Sequence, residues 1–448
     1  MALKKAEELL DFTVSFKQQP IQISDMAFRA ETAVSRGVDA LKATQRRWLK
    51  TESPEYEHVL FIGYKGCGKS TELNFFQQQI EEQYLVINFS VYEELDPVSL
   101  SHVELFVVMM EQLFRVAKDM EINEAYFKKI GKWLASKEIA EIIDKHLDAE
   151  LSVGLDKKIG IPFLINFFGR FKAAAKASKS LKTTLKTTVE PKLQELIDLC
   201  NDLIREVRRK LYLKNKKDIV FILEDMDKVH IKAIEDIFYN YAPQLTSIQA
   251  KTIFTYPLSL YFYTRFAQIK GYFPYRIELP MVKTFDKDGS KNEKGFETMR
   301  NMIAKRANLA LFDVNLDLFI EKCGGCIRDL FLMLITASEN ALNEDRELII
   351  ESDFKAAYTG LKKDYEAQIA EYREEILKSD GQSEIITHYP ADFYKDLADL
   401  AKNPQKKPEN TNRVLLLRQN LSILGYNGEG WCDVHPILKD ILKDKGLI

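Results

Sequence analysis

The sequence FIGYKGCGKST, residues 61–71, contains three glycines within six residues, followed at once by a lysine and a serine. Glycine in the interior of a strand or helix loses more backbone entropy than other residues and offers no side chain to pack. An ordinary strand or helix is therefore not expected here, and a group must approach the backbone closely.

The flanking residues place these glycines in a loop between a strand and a helix. Residues 58–63, HVLFIG, favour a β-strand, and residues 70–84, STELNFFQQQIEEQY, have leucine and phenylalanine at helical spacing. In that context the pattern G-x-x-x-x-G-K-[ST] indicates a phosphate-binding loop, because backbone N–H groups and the helix N-terminus face the phosphate oxygens. We therefore predict that ATP binds to Gly63, Gly66, Cys67, Gly68, Lys69, Ser70 and Thr71.

Individual residues of this loop have separate predicted roles. Lys69 is predicted to reach the β- and γ-phosphates, and the Ser70 hydroxyl is predicted to bind Mg²⁺. Thr71 is predicted to lie at the α-phosphate, whereas Cys67 is predicted to be a small residue that fits the loop.

A second strand that ends in acidic residues is predicted at 216–229, KKDIVFILEDMDKV. Its apolar residues, 219–223, are typical of a parallel strand that is buried on both faces. Glu224 and Asp225 follow at the carboxyl end of the strand, which is the edge where ligands bind in open α/β sheets. We predict that Glu224 binds Mg²⁺ through water and that Asp225 positions or activates the attacking water.

Composition limits the classes of protein that remain. A chain of 448 residues with 46% hydrophobic and 29% charged residues has room for two or three globular domains. The net charge of -3 argues against a surface that binds nucleic acid or anionic membrane as a whole. The longest apolar runs are shorter than the roughly 20 residues of a membrane span. Together with five scattered cysteines, these features predict a cytoplasmic protein with no membrane span.

Residues 222–228, ILEDMDK, resemble the second motif of the AAA+-related STAND and KAP ATPases, which are related to the origin-recognition initiator ATPases. That motif is an apolar strand followed by two acids, an apolar residue, another acid and a basic residue. Glutamate stands at 224, where aspartate is more common. The resemblance implies an α/β P-loop NTPase core with a parallel sheet, a helical insertion, a helical lid and a C-terminal winged helix. It also implies an ATPase with ATP and Mg²⁺ as cofactors.

Two later segments extend the resemblance. Residues 250–257, AKTIFTYP, are similar to the next core strand, which implies that Thr255 touches the γ-phosphate or the water. Residues 321–342 are similar to the start of the lid helix, which implies that Arg328 is the arginine that reaches from the lid toward the phosphates. Arginine fingers in these families follow the strand that carries Thr255. The candidates there are Arg265 and Arg276, and a solvated charge is the alternative for each.

The predicted organisation has four parts: a helical lead-in at 1–57, the ATPase core at 58–285, a helical lid at 286–380 and a winged-helix domain at 381–448. The core is predicted to carry a helical insertion at about 95–216, and residues 351–381 are predicted to be helical. In the last part, Asn427 and Gly428 indicate a hairpin turn between short strands. This hairpin is poor in positive charge, which favours a packing or regulatory role over reading DNA.

Residues 157–189 contain eight Lys or Arg and no Asp or Glu. Five lysines recur at helical spacing and predict a basic stripe: Lys172, Lys176, Lys179, Lys182 and Lys186. Three interpretations remain open. The segment is a solvated arm, a DNA-binding stripe, or a surface for a partner or an anionic membrane that uses Phe163, Phe167, Phe168 and Phe171.

The function that these features favour is an ATP-operated regulatory switch. In the STAND family such switches act as signalling or defence regulators and form homo-oligomers. The chain has no recognisable effector domain of its own, which implies a separate effector or partner protein. The alternative is a DNA-binding initiator or loader ATPase, and a membrane-attached KAP-type ATPase is a third hypothesis that the lack of a predicted membrane span disfavours.

Overall fold

The structure is a computed structural model. It describes residues 8, 19–50, 56–134, 136, 139, 161–177, 184, 187–370, 372–377, 383–389, 393–403, 408–426 and 431–448. The strands are β1 His58–Gly63, β2 Tyr84–Ser90, β3 Asp218–Glu224, β4 Lys251–Pro257, β5 Tyr275–Leu279, β6 Phe312–Asp313, β7 Ile349–Ile350, β8 Tyr372–Leu377, β9 Ser383–Tyr389, β10 Ile423–Tyr426 and β11 Trp431–Val434.

The α-helices are α1 Ala33–Arg36, α2 Lys42–Lys50, α3 Lys69–Ile80, α4 Val91–Glu94, α5 His102–Ala117, α6 Glu124–Leu134, α7 Ile161–Ala177, α8 Leu193–Tyr212, α9 Ile231–Glu235, α10 Ala242–Thr246, α11 Leu258–Tyr261, α12 Glu293–Ala304, α13 Leu316–Cys323, α14 Ile327–Asn343, α15 Glu351–Gln368, α16 Phe393–Lys402, α17 Asn412–Gln419 and α18 Pro436–Asp444. Short 3-10 helices lie at Ile23–Phe28, Glu190–Lys192, Met226–Lys228, Thr264–Gln268 and Leu309–Leu311, and a π-helical turn at Asp236–Asn240. None of the described helices is long and apolar enough to cross a membrane.

The chain divides into two compact units. The sheet unit comprises residues 43–62 and 76–277, and the lid unit comprises residues 1–42, 63–75 and 278–448. The chain therefore passes from the sheet unit to the lid unit at the end of β1 and returns within α3.

The core of the sheet unit is a five-stranded sheet with the order β2-β3-β4-β1-β5. β2 pairs with β3, and β3 with β4, in parallel. Every residue of β1, β3 and β4 is buried, as a parallel strand covered on both faces requires. The predicted α/β P-loop fold with a parallel sheet is confirmed, and the order places β4 between β1 and β3.

The described residues between 95 and 216 contain helices and no strand, as predicted. α7 packs against α5, where the rings of Phe114 and Phe168 stack with their centroids 5.3 Å apart. Phe167 and Phe171 are buried as well. The interpretation that these rings form a membrane or partner surface is wrong for Phe167, Phe168 and Phe171, because they form a core inside the insertion.

The predicted basic stripe is wrong at its first residue. Lys172 is mostly buried, and its Nζ lies 2.6 Å from Glu94 Oε2 and 2.8 Å from Glu111 Oε2. Burial lowers the pKa of Lys172, but the hydrogen bonds and charges of Glu111 and Glu94 outweigh that effect and hold the pKa above its usual value. The side chains of Lys176, Lys179, Lys182 and Lys186 lie outside the described residues.

The lid unit contains α14 packed between α13 and α15, followed by two small antiparallel hairpins. β10 pairs with β11 on either side of residues 427–430, which contain the predicted turn and lie outside the described residues. The prediction of helix for 351–381 holds over Glu351–Gln368. It is wrong for Tyr372–Leu377, which is a strand because it pairs with Ser383–Tyr389, and such a partner overrides local helix preference.

Candidate functional site

The loop between β1 and α3 has backbone angles that require glycine. Gly66 has φ +73° and Gly68 has φ +96°, a region that costs other residues about 1–2 kcal/mol. A Cβ atom on Gly66 would lie 2.6 Å from Arg328 Cβ, closer than two carbon atoms can approach. The group that comes close to the backbone at Gly66 is therefore Arg328, the second residue of α14.

Lys69 is the first residue of α3 and is only 7% exposed. Its Nζ donates to the carbonyl oxygens of Gly63, at 3.2 Å, and Tyr64, at 2.8 Å. The ammonium group is therefore held at the loop that it was predicted to serve. Ser70 is partly exposed, and the hydroxyl of Thr71 accepts a hydrogen bond from the Ile21 N–H at 3.2 Å. Thr71 thus fastens the N-terminal segment to α3.

The acidic pair at the end of β3 is held by polar side chains at the end of β2. Asn88 Nδ2 donates to Glu224 Oε1 at 3.0 Å, and Ser90 Oγ donates to Asp225 Oδ2 at 2.8 Å. Lys228 pairs with the other oxygen of Asp225 at 2.7 Å. Asp225 has φ +63°, which is rare for a residue other than glycine and stores backbone strain.

Thr255 is 1% exposed, and its hydroxyl bridges β4 to the end of β3. It donates to the carbonyl oxygen of Leu223 at 3.2 Å and accepts from the Met226 N–H at 3.0 Å. A hydroxyl has a single hydrogen to donate, and here that hydrogen is used within the protein. The geometry therefore makes Thr255 a support for the turn that carries Glu224 and Asp225.

Three strand ends of the sheet unit thus carry the polar residues named above. β2 and β3 are paired in register up to Ser90 and Glu224, and β3 pairs with β4, the strand that carries Thr255. β1, which leads into the glycine loop, borders β4 in the same sheet. The carboxyl edge of a parallel sheet is the usual position of a ligand site, and Ser90 and Glu224 end their strands at the same level of this edge.

Sequence reasoning missed Asn88 and Ser90, although their polar character at the end of an apolar strand was a usable signal. The two candidate arginine fingers are exposed. Arg265 lies over the Tyr239 ring at 4.8 Å, and Arg276 donates to the Phe273 carbonyl oxygen at 3.1 Å. Their predicted role is not tested by these contacts.

Within the lid unit, the C-terminal residues cover the start of the glycine loop. Tyr64 is buried, and its hydroxyl accepts a hydrogen bond from Arg418 Nη1 at 3.2 Å. A Cβ atom on Gly425 would lie 2.7 Å from the same hydroxyl oxygen, and the Met281 N–H donates to the Gly425 carbonyl oxygen at 3.0 Å. Burial raises the pKa of Tyr64, so the phenol stays neutral.

The lid helix α14 is tied to the C-terminal helix by buried polar groups. Asp329, next to Arg328, accepts from the Tyr365 hydroxyl at 2.7 Å, and His435 Nε2 lies 3.1 Å from the same carboxylate oxygen. Arg328 itself is partly exposed. Cys323 and Cys326, just before α14, are free and buried.

The residues present fit a magnesium nucleotide. The positive φ angles of Gly66 and Gly68 give the loop a curved backbone of the kind that surrounds phosphate oxygens, and Lys69 supplies a buried cation. Among the described residues, no group of three His, Cys, Asp or Glu side chains is arranged to hold a metal ion. Magnesium needs no such group, because it is bound through one or two protein oxygens together with phosphate oxygens.

Comparison with known protein families also indicates a P-loop domain. Residues 59–255, from β1 to β4, match the KAP family P-loop domain. This part of the chain is therefore similar to a KAP-type P-loop NTPase domain. The predicted relation to KAP ATPases is confirmed, and the match includes the glycine loop, the β3 acids and Thr255.

Solved structures of three proteins cover almost the whole chain at low identity. Cdc6p from Pyrobaculum aerophilum is 10% identical, with 94% of this chain and 98% of that chain covered and a TM-score of 0.40. The ORC2 protein of Aeropyrum pernix is 10% identical over 91% and 94% of the chains, with a TM-score of 0.38. The RuvB Holliday junction branch migration motor of Thermotoga maritima is 10% identical over 96% and 98%, with a TM-score of 0.36. No curated protein matches the chain.

Proposed function

We propose that this KAP-type domain binds ATP and Mg²⁺ and acts as a switch whose nucleotide state sets the contacts of the lid and of the C-terminal residues. The observation that carries the proposal is the crowding of the glycine loop within the lid unit. Gly66 meets Arg328 of α14, and Tyr64 meets Arg418 and Gly425. A loop in contact with both elements cannot move around a phosphate group without changing one of those contacts.

Six of the predicted site residues have a separate role in this proposal. Bound Mg²⁺–ATP supplies the γ-phosphoryl group that is transferred to water. Lys69 and Ser70 bind the phosphates and the metal ion, and Glu224 holds the metal ion through water. Asp225 orients the attacking water, and Arg328 joins the lid to the phosphate charge. Thr255 acts through the turn that it supports.

Lys69 provides the physical link between nucleotide and fold. Its ammonium group now rests on the carbonyl oxygens of Gly63 and Tyr64, and phosphate oxygens are stronger, charged acceptors. Nucleotide binding therefore releases the Tyr64 carbonyl, whose own side chain is held by Arg418. A nucleotide shifts two states only by its difference in affinity for them, and this exchange of acceptors is one source of that difference.

The broader role that we propose is that of a STAND-type regulatory or defence ATPase, cytoplasmic, forming a homo-oligomer and acting on a separate effector. α16, α17, the β10–β11 hairpin and α18 are proposed to be the winged helix, in a packing role. The DNA-binding alternative loses Lys172, which is paired with two carboxylates.

Solution mass by light scattering tests the switch. The wild type and Lys69→Ala are each compared with ADP–Mg²⁺, with ATP–Mg²⁺, and with ATP–Mg²⁺ plus duplex DNA, together with limited proteolysis of the same samples. We expect ATP to change the mass or the cleavage pattern of the wild type alone. Identical mass and cleavage with ADP and ATP refute the switch, and a change that needs the duplex establishes the initiator alternative.

Phosphate release tests the ATPase activity separately. Asp225→Asn removes the charge that orients water but leaves the loop intact, so we expect ATP binding to persist while phosphate release falls. Ser90→Ala is the matched control, because it removes a hydrogen bond to Asp225 and leaves the carboxylate in place. Equal phosphate release by Asp225→Asn and the wild type would assign the water-orienting role to another residue.

A further inference from the structure

Arg36, the last residue of α1, is a buried arginine in contact with the glycine loop. It is 1% exposed. Its Nη2 donates to the carbonyl oxygen of Cys67 at 2.6 Å, and its Nη1 donates to the carbonyl oxygen of Pro280. Its Nε is buried and has no hydrogen-bond partner. No motif in the sequence includes this residue.

The positive charge of Arg36 is not balanced by an ion pair. In the part of the chain that the structure describes, no carboxylate lies within ion-pair distance of its guanidinium group, and its two acceptors are neutral carbonyl oxygens. Glu72 is the nearby acid, but Glu72 is paired with Arg29 at 2.8 Å. Burial lowers the pKa of Arg36, yet an arginine in a protein remains protonated. An unpaired buried charge is costly, so an anion bound nearby would stabilise this one.

The contact with Cys67 also sets the direction of a phosphate-binding group. The Cys67 carbonyl and the Gly68 N–H belong to one planar trans peptide, so they point in opposite directions. A donor that fixes the carbonyl oxygen therefore fixes the N–H as well. Arg36 Nη2 lies 3.7 Å from the position that a Cβ on Gly68 would occupy, so its charge is close to the same peptide.

We propose that Arg36 is a positioning residue of the nucleotide site: it orients the Gly68 N–H toward the phosphates through the Cys67 carbonyl, and its positive charge lies behind the same peptide. The ligand class is the polyphosphate group of a nucleotide. The inference rests on the proposed function, because it takes the glycine loop as the nucleotide site.

Isothermal titration with ADP–Mg²⁺ and ATP–Mg²⁺ at low and high salt tests this role. We expect Arg36→Met to weaken both affinities by roughly 10–100-fold, as loss of a charged hydrogen-bonding group does. We also expect its affinity to depend less steeply on salt than that of the wild type, because one positive charge near the phosphates is gone. Arg36→Lys keeps the positive charge but cannot make both hydrogen bonds of the guanidinium group. The salt dependence of nucleotide binding should therefore match that of the wild type, while the affinity is lower.

Arg306→Met is the matched control. Arg306 belongs to the same unit, donates to the Met302 carbonyl oxygen at 2.9 Å and lies 4.8 Å from the Phe331 ring centroid. A purely structural arginine should lower the melting temperature of the ligand-free protein without changing the salt dependence of binding.

The outcomes separate the inference from the proposed function. A wild type that binds neither nucleotide overturns both. A wild type that binds, together with Arg36→Met of equal affinity, overturns the role of Arg36 alone. Equal loss of affinity in Arg36→Met and Arg306→Met with an unchanged salt dependence also overturns it. If Arg36→Met does not fold, Arg36→Lys decides: several-fold weaker ADP binding at an unchanged melting temperature supports the role, and wild-type affinity overturns it.

Discussion

Replacement of Gly66 by alanine tests the contact between the glycine loop and the lid helix most directly. The backbone angle of +73° costs an alanine about 1–2 kcal/mol. The new Cβ would also lie 2.6 Å from Arg328 Cβ, and relief of that overlap by moving α14 or the loop costs about 1–3 kcal/mol. We therefore expect Gly66→Ala to lower the free energy of unfolding of the lid unit by about 2–5 kcal/mol.

Gly68→Ala separates the two costs. Gly68 has φ +96°, but a Cβ there would meet its nearest neighbour, Ile327 Cδ1, at an ordinary 3.5 Å. Gly68→Ala therefore has the unfavourable backbone angle without the atomic overlap, and we expect the free energy of unfolding to fall by only about 1–2 kcal/mol. For a unit of this size, each kcal/mol lowers the melting temperature by about 2–4 °C. Thermal unfolding of the nucleotide-free protein should place Gly66→Ala clearly below Gly68→Ala.

A double-mutant cycle identifies the atom responsible for the overlap. Arg328→Ala keeps its Cβ, so it should not rescue Gly66→Ala, whereas Arg328→Gly removes that atom and should recover about 1–3 kcal/mol of the loss. Equal melting temperatures for the two alanine variants, or rescue by Arg328→Ala to the same extent as by Arg328→Gly, would refute the reasoning.

Three further predictions concern buried polar groups. Burial lowers the pKa of His58 to about 4 from 6.5, so as the pH falls the unfolded chain binds a proton before the folded chain does. The free energy of unfolding should therefore fall by about 2 kcal/mol between pH 7.5 and pH 5. Urea unfolding should show this loss in the wild type and not in His58→Gln. Lys172→Met leaves the fully buried Glu111 with one cation fewer and should cost about 2–4 kcal/mol in thermal unfolding, with partial recovery in the double variant with Glu111→Gln. Tyr64→Phe removes an acceptor from buried Arg418 and should cost about 1–3 kcal/mol by the same assay.

For each of these three predictions, one result would contradict the reasoning. The same pH dependence in His58→Gln would mean that another group titrates. A neutral Lys172→Met would mean that Arg115, 2.7 Å from Glu111, is a sufficient partner. A Tyr64→Phe protein as stable as the wild type would show that water or Cys432 replaces the hydroxyl.

The parts of the site that could be predicted from sequence are those encoded within a few consecutive residues. A glycine loop between a strand and a helix, and an apolar run that ends in Glu224 and Asp225, are local patterns with a direct physical cause. The beginning of α14 after two glycines is local in the same sense, because Gly324 and Gly325 have φ +57° and +84°.

The residues that were missed depend on contacts between distant segments. Arg36 precedes Cys67 by 31 residues, and Arg418 follows Tyr64 by 354. Neither contact leaves a periodic or compositional trace. β8 was predicted as helix for the same reason, because pairing with Ser383–Tyr389 is a property of the fold and not of Tyr372–Leu377. The basic stripe shows the opposite error: Lys172 follows the spacing of an exposed face, but two carboxylates from other helices neutralise it.

The two ends of the glycine loop differ in what a nucleotide must displace. At Tyr64 the loop carbonyl is a hydrogen-bond acceptor of Lys69, and this bond is lost when the ammonium group turns to a phosphate. At Cys67 the loop carbonyl is an acceptor of Arg36, and this bond need not break, since the phosphates are expected on the opposite side of that peptide. Loss of the Lys69 hydrogen bond at Tyr64 can therefore change the contact between Tyr64 and Arg418. The hydrogen bond from Arg36 to Cys67, in contrast, keeps the loop backbone in place. A switch needs both properties, a fixed part that binds and a part whose contacts are exchanged, and this loop places them three residues apart.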